Sequence, residues 1–204
     1  MKPLFVGLFL FFSFWNCTKT IDQARKELSE TIQPPPIITH QQWGWKALTD
    51  SMPPHIIKRI TIHHGGVYFS SDSNAITYLR KLQDWSRENK HWIDIPYHYM
   101  IDFQGKIYEA RPIRFPGDTN TDYDPRGHAL ICLFGNFEEQ QVSEQQLNSL
   151  SALIGWLMAK YNVPVDSVKT HKDYTETLCP GKNLYRYFRN GEIQKRVLKM
   201  NGSE

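Results

Sequence analysis

From Ile57 to His63 the chain alternates apolar and polar residues. A period of two predicts a strand running into His63, and Gly65-Gly66 end it. Ser73 stands where it can cap a helix whose positions Ile76, Leu79 and Leu82, with Trp85, keep a helical stagger. Tyr97 to Asp102 and Lys106 to Ala110 predict a hairpin around Phe103-Gln104-Gly105. The polar stretch from Arg111 to Gly127, punctuated by proline and glycine, reads as a long loop. The apolar run His128 to Phe134 reads as a buried strand. Ser143 to Tyr161 carries the clearest helical pattern: Ser143 and Gln146 are spaced as a capping box, and Leu147, Leu150, Ile154, Leu157 and Tyr161 fall on one face. Ser167 to Thr170 predicts a short strand leading into His171. Strands interleaved with helices imply a single α/β domain with a central mixed β-sheet flanked by α-helices. The sequence shows no internal repeat and no low-complexity tract.

The first residues follow a different rule. Met1-Lys2 is followed by a nearly unbroken apolar run, Leu4 to Trp15. That run is shorter than the ~20 residues a membrane-spanning helix needs, so it reads as an export signal. Asn16-Cys17 closes it, and polar Thr18-Lys19-Thr20 follow. This order resembles a bacterial lipoprotein signal, in which the cysteine is acylated and becomes the mature N-terminus. An ordinary signal peptide with an incidental cysteine is the alternative. Ile21 to Glu30 could form one or two helical turns, and Pro34-Pro35-Pro36 reads as an extended spacer. The expected organisation is residues 1–17 as export signal, 18–37 as linker and 38–204 as the domain. The expected location is the bacterial cell envelope, periplasmic or membrane-anchored.

Composition adds limits. The chain has 204 residues and a formal charge of +3, with basic residues scattered. No stripe suited to nucleic acid is present, and nothing in the pattern demands a dimer, so a monomer is expected. If Cys17 carries lipid and Cys179 binds metal, only Cys132 remains of the 3 cysteines, so no disulfide is expected. Cys132, inside an apolar run, reads as a buried thiol.

Two segments carry candidate chemistry: Ile62-His63-His64-Gly65-Gly66, and His171-Lys172-Asp173 through Thr177-Leu178-Cys179-Pro180-Gly181. A histidine pair by itself is more often surface or core than ligand. Here each segment follows a predicted strand, so two strand ends can converge. One imidazole from the first segment, with an imidazole and a thiolate from the second, would make three ligands. Three protein ligands leave the fourth tetrahedral position of a zinc ion open, the layout of a catalytic site.

These pieces, with Trp43-Gly44, Trp92-Ile93-Asp94-Ile95-Pro96-Tyr97-His98-Tyr99, Gly105-Lys106-Ile107-Tyr108-Glu109, Gly135-Asn136-Phe137 and Leu184-Tyr185, occur in one order. In that order the chain resembles the zinc-dependent N-acetylmuramoyl-L-alanine amidases, the family that includes the peptidoglycan recognition proteins. The resemblance implies a mixed sheet with a zinc-containing surface groove. It implies His63, His171 and Cys179 as Zn2+ ligands, with His64 beside them. Tyr97 matches the catalytic tyrosine, and Thr177 matches a position where active members carry lysine or threonine. The implied reaction is metal-assisted hydrolysis of the amide between N-acetylmuramic acid and L-alanine in peptidoglycan or muropeptides.

Other readings of these residues stay open: Tyr97 as a strand tyrosine closing a core, Thr177 as a turn residue, and Trp92 as groove wall or core. Cys132 stands where some bacterial members carry an acidic residue that helps deprotonate water, and strand alternation could aim it at the metal floor. Gly117-Asp118-Thr119 stands where many relatives have a loop histidine. The alternatives to an amidase are a non-catalytic peptidoglycan-binding module of the same fold, or another zinc hydrolase. The absence of a His-Glu-x-x-His segment argues against the common zinc proteases.

Overall fold

A computed structural model describes residues 32–200, and the compact unit begins at Pro34. The export segment, Cys17 and the turns expected over Ile21 to Glu30 lie outside the described residues. The elements in chain order are β1 (Ile37–Ile38), α1 (His40–Trp43), β2 (Arg59–His64), α2 (Ala75–Lys90), β3 (Tyr99–Ile101) and β4 (Ile107–Glu109). They continue as β5 (His128–Leu133), α3 (Glu144–Tyr161), β6 (Val168–Thr170), α4 (Lys182–Arg189) and α5 (Glu192–Met200). The six strands form one sheet in the order β1-β4-β3-β5-β2-β6. Only the β3–β4 hairpin is antiparallel; β1–β4, β3–β5, β5–β2 and β2–β6 are parallel. The sheet is therefore mixed, as the alternation of strands and helices implies.

Helices cover both faces, which is why β5 is buried from end to end. On one face Ile60, Ile62, Ile131 and Leu133 pack with Leu147, Leu150, Ile154 and Leu157 of α3 and with Leu184, Ile193 and Val197 of α4 and α5. Each fully buried side chain of this kind contributes about 1.5–3 kcal/mol. On the other face Met100, Cys132 and Phe134 pack with Ala75 and Leu79 of α2 and with Trp43. The capping box of α3 forms: Gln146 N donates to Ser143 Oγ at 3.1 Å, and Ser143 N donates to Gln146 Oε1 at 3.2 Å.

The structure departs from expectation in particular places. Asn74, not Ser73, caps α2, its Oδ1 accepting from Thr77 N at 2.9 Å; Ser73 Oγ accepts from Ser70 N instead. Trp85 leaves the core and is 43% exposed, because the buried stripe of α2 runs through Ala75, Leu79, Gln83 and Ser86. The strands β3 and β4 are shorter than their apolar runs, although backbone pairing continues from Ala110 N to His98 O and from Arg111 N to Tyr97 O. The pattern announced neither β1 and α1 nor α4 and α5. Two-residue β1 has no measurable period, and the apolar positions of α4 and α5 are diluted by basic residues.

Candidate metal centre

Strand register brings the site together. β2 and β6 run parallel with Ile62 opposite Thr170, so His63 and His171 emerge side by side at the carboxyl ends of adjacent strands. Alternation along β2 sends Ile60 and Ile62 into the α3 face and leaves Thr61 and His63 on the other. His171 opens a short 3-10 turn locked by Asp173, whose Oδ2 accepts from Thr170 N at 2.7 Å and Thr170 Oγ1 at 2.8 Å. Cys179 arrives from the loop that follows. That loop is pressed against Phe137–Glu138: Gly181 has φ +87°, and a Cβ there would lie 2.7 Å from Glu138 N. Only glycine fits both the backbone angle and the close approach.

One atom from each of His63, His171 and Cys179 lies within 4.8 Å of the others. His63 Nδ1 is 3.6 Å from Cys179 Sγ. His171 Nδ1 is buried and has no hydrogen-bond partner. The outer nitrogens are occupied: Tyr123 OH lies 3.2 Å from His63 Nε2, and Thr121 Oγ1 lies 2.8 Å from His171 Nε2. Two inward imidazole nitrogens and a thiol, with the outer nitrogens already hydrogen bonded, fit a tetrahedral N/S-bound zinc ion with one open position. The orphaned Nδ1 of His171 is the observation that makes the fit specific, since a buried polar atom is normally paired.

Burial sets the electrostatics. It drives the pKa of His63 well below its usual value, and the neighbouring His171 and His64 push the same way. His171 is lowered to about 4 by burial, with His64 adding to the effect. His64 is lowered to about 4 by burial, opposed by Glu138. The imidazoles are thus neutral near pH 7, the form that binds metal. Burial raises the Cys179 thiol to about 12, partly offset by the His64 N–H, which donates to Sγ at 3.4 Å. His64 therefore stands beside the centre, holding the sulfur through its backbone while its Nδ1 accepts from Phe137 N at 3.2 Å.

The three residues open onto a cleft of about 310 Å³. Leu82, Trp85 and Trp92 line it together with Asp118 to Thr121, and Tyr97 and Thr177 are also in the lining. Trp92 meets Trp85 edge to face at 6.3 Å, so it is groove wall and not core. Tyr97, two residues before β3, lays its ring 5.1 Å from that of His63. Burial raises its pKa far above the usual value, so its hydroxyl keeps its proton. Thr177 Oγ1 accepts from Cys179 N at 3.2 Å, which leaves its own proton for the cleft. Cys132 does not line the cleft. It is fully buried, packed in one cluster with Met100, Phe134 and Leu79, its Sγ lying 3.7 Å from Leu133 O and the Tyr97 side chain interacting with its thiol. The alternation along β5 does point it to the site's face, but Tyr97 roofs it over.

Sequence reasoning missed Thr121 and Tyr123. Both sit in the loop between β4 and β5, where no period exists and only the tertiary fold gives a residue its neighbours. Asp118 was noted only as a departure; the structure ties it to fully buried Arg111, which also donates to Asp94 O, Ile95 O and Pro116 O.

A mixed sheet that ends two parallel strands in histidines, beneath a cleft walled by one helix, defines an α/β protein of the amidase and peptidoglycan recognition class. The chain belongs to the N-acetylmuramoyl-L-alanine amidase family, Amidase_2, whose profile matches residues 52–182. Peptidoglycan-recognition protein SD of Drosophila simulans is 29% identical over 159 residues, covering 74% of this chain and 82% of that protein. The crystal structure of Drosophila peptidoglycan recognition protein SD superposes with a TM-score of 0.68 at 25% identity, covering 76% of this chain and 93% of that one. The N-acetylmuramoyl-L-alanine amidase LysC from Clostridium intestinale superposes with a TM-score of 0.62 at 30% identity, covering 80% and 97%.

Proposed function

We propose that this chain is a zinc-dependent hydrolase that cleaves the amide between N-acetylmuramic acid and L-alanine of peptidoglycan. The observation that carries the reading is the complete ligand set, His63, His171 and Cys179, with its donor atoms gathered within 4.8 Å at the floor of an open cleft. Family membership supplies the reaction class, and the Clostridium amidase shares the fold over most of this chain.

A zinc ion bound there would supply Lewis acidity and an acidified water. The chain supplies the rest. The cleft positions the stem peptide and sugar on either side of the scissile amide. The Tyr97 hydroxyl, kept protonated by burial, donates to the carbonyl oxygen as negative charge develops. The Thr177 hydroxyl lies in the same lining and can donate from the other side. The one carboxylate in the lining is Asp118, which Arg111 holds. Among the described residues, no side chain thus takes the place of the missing acidic residue as a free carboxylate base in the cleft.

The protonation states give a further expected result. Near neutral pH the ligand histidines carry no proton to lose, whereas Cys179 must ionise to bind. Zinc uptake should release about one proton from the thiol, and apparent affinity should fall about tenfold per pH unit on acidification. Calorimetry in buffers of different ionisation enthalpy measures this directly. Uptake with no proton release would remove Cys179 from the ligand set.

The test of function is to incubate a soluble form starting near Ile21, loaded with zinc, with purified muropeptides. Mass spectrometry should show free stem peptide and N-acetylmuramic acid sugars. Release should stop with chelator and return with zinc. Tight muropeptide binding without release would replace the enzyme by the recognition module. We further infer that the protein works in the bacterial envelope, with Cys17 as lipid anchor; Leu4 to Trp15 followed by Asn16-Cys17 supports this. Globomycin-sensitive labelling of the full chain with a fatty-acid probe, lost in Cys17→Ala, tests it.

A further inference from the structure

We propose that the loop between β4 and β5 sets the grip on the metal, with Thr121 and Tyr123 acting as positioning residues for both ligand histidines. The inference rests on the metal-centre reading above. An imidazole has two nitrogens and, when neutral, one proton. To bind metal through Nδ1 it must carry that proton on Nε2, and something must accept it there.

The loop provides both acceptors. Thr121 Oγ1 lies 2.8 Å from His171 Nε2. It also lies 2.8 Å from Thr119 Oγ1, which already accepts from Thr121 N at 3.2 Å. Thr119 can therefore take the Thr121 hydroxyl proton as well, leaving a Thr121 lone pair for His171 Nε2–H. This directs His171 Nδ1, the orphaned buried atom, inward with a free lone pair. Tyr123 does the same for His63, with its hydroxyl 3.2 Å from Nε2. Its ring also packs 5.1 Å from that of His171, while its far face stacks on Tyr174 at 5.6 Å. One side chain thus touches both ligand rings.

The loop is held firmly enough for this task. His55 Nε2 donates to Ile113 O at 2.9 Å, and its Nδ1 accepts from Gly127 N at 2.8 Å, clasping the loop at both ends. His98 Nε2 donates to Phe115 O at 2.9 Å, and buried Arg111 donates to Pro116 O at 2.7 Å. The cleft side of the same loop, Asp118 to Thr121, faces the substrate space. One segment therefore holds the ligands on its inner side and meets the substrate on its outer side.

The experiment measures zinc affinity by competition with a chromophoric chelator, in the wild-type chain and in Thr121→Val and Tyr123→Phe. Each variant keeps the shape of its side chain and loses only its hydroxyl. Each is expected to bind zinc about 10–100-fold more weakly. Thr121→Ser should restore wild-type affinity. With cobalt in place of zinc, the visible absorption bands of Thr121→Val should shift, which a merely structural role would not produce. Thermal unfolding of the metal-free proteins identifies any variant that fails to fold, and Tyr123→Phe, which retains the packed ring, then carries the test. A wild-type chain that binds no zinc would overturn the metal centre itself. Zinc-binding wild type with unchanged affinity in folded Thr121→Val and Tyr123→Phe would overturn the positioning role and leave the centre standing.

Discussion

Cys179→Ser is expected to lose stoichiometric zinc and, with it, all measurable amide hydrolysis, while the domain still folds. Serine is close in size, but its hydroxyl does not ionise near neutral pH and is a hard donor where zinc prefers a soft thiolate. The two remaining imidazoles would hold the ion with one anionic charge fewer. The affinity loss should exceed the 10–100-fold typical of removing an outer hydrogen-bond partner. The fold should survive because Cys179 contributes little to the core. Its position is fixed by backbone contacts around it, including Gly181 N to Leu178 O at 2.7 Å and Asn183 N to Phe137 O at 2.9 Å. Elemental analysis after dialysis, the muropeptide assay and thermal unfolding of metal-free protein read the three parts separately. A variant that retains one zinc per chain and full turnover would sink the three-ligand assignment.

The parts of this molecule that were legible in the sequence are those governed by local rules. The capping box at Ser143 and the leucine stripe of α3 follow from spacing alone, and both form as expected. His63 and His171 were readable as strand-end residues because β2 and β6 have strand patterning and turn signals behind them. That they converge depends on β2 pairing with β6 across more than a hundred intervening residues, which no local pattern encodes. The same limit explains Trp85 and Cys132. The stagger of α2 placed Trp85 with its apolar neighbours, but the polar Gln83 takes the core position by bonding Asp94 and both backbone groups of Lys46. Alternation gave Cys132 the correct face of β5, but not the depth, because depth is set by Tyr97, which arrives from the segment before β3. Thr121 and Tyr123 were invisible for the most basic reason: a loop residue acquires its role only from what the fold puts beside it.

Cys132 also bears on the reaction. A thiol beneath Tyr97, raised by burial well above its ordinary pKa, stays neutral and does not replace a carboxylate at the metal. Its position suits a packing element for the Tyr97 ring, in contact with Met100 and Phe134 as well. The proposed reaction then depends more heavily on what the cleft offers the developing oxyanion, and Tyr97, which lines that cleft, is the donor to test.

Tyr97→Phe is therefore expected to retain zinc and lower turnover by about 10²–10³-fold, the usual effect of removing one donor to an oxyanion. The substitution deletes a single oxygen and keeps the ring that packs at 5.1 Å from His63 and covers Cys132, so ligand geometry should persist. Because the donated bond strengthens as charge builds on the carbonyl oxygen, kcat should fall while KM changes little. The wild-type hydroxyl is held protonated by burial, so the kcat profile should show no limb from loss of the tyrosine proton up to pH 10. Zinc content by elemental analysis and steady-state kinetics on a muropeptide separate the alternatives. Loss of zinc in Tyr97→Phe would make the tyrosine a structural support of the centre. Full turnover with zinc in place would remove it from the reaction and leave Thr177, which lines the same cleft, as the donor to be tested.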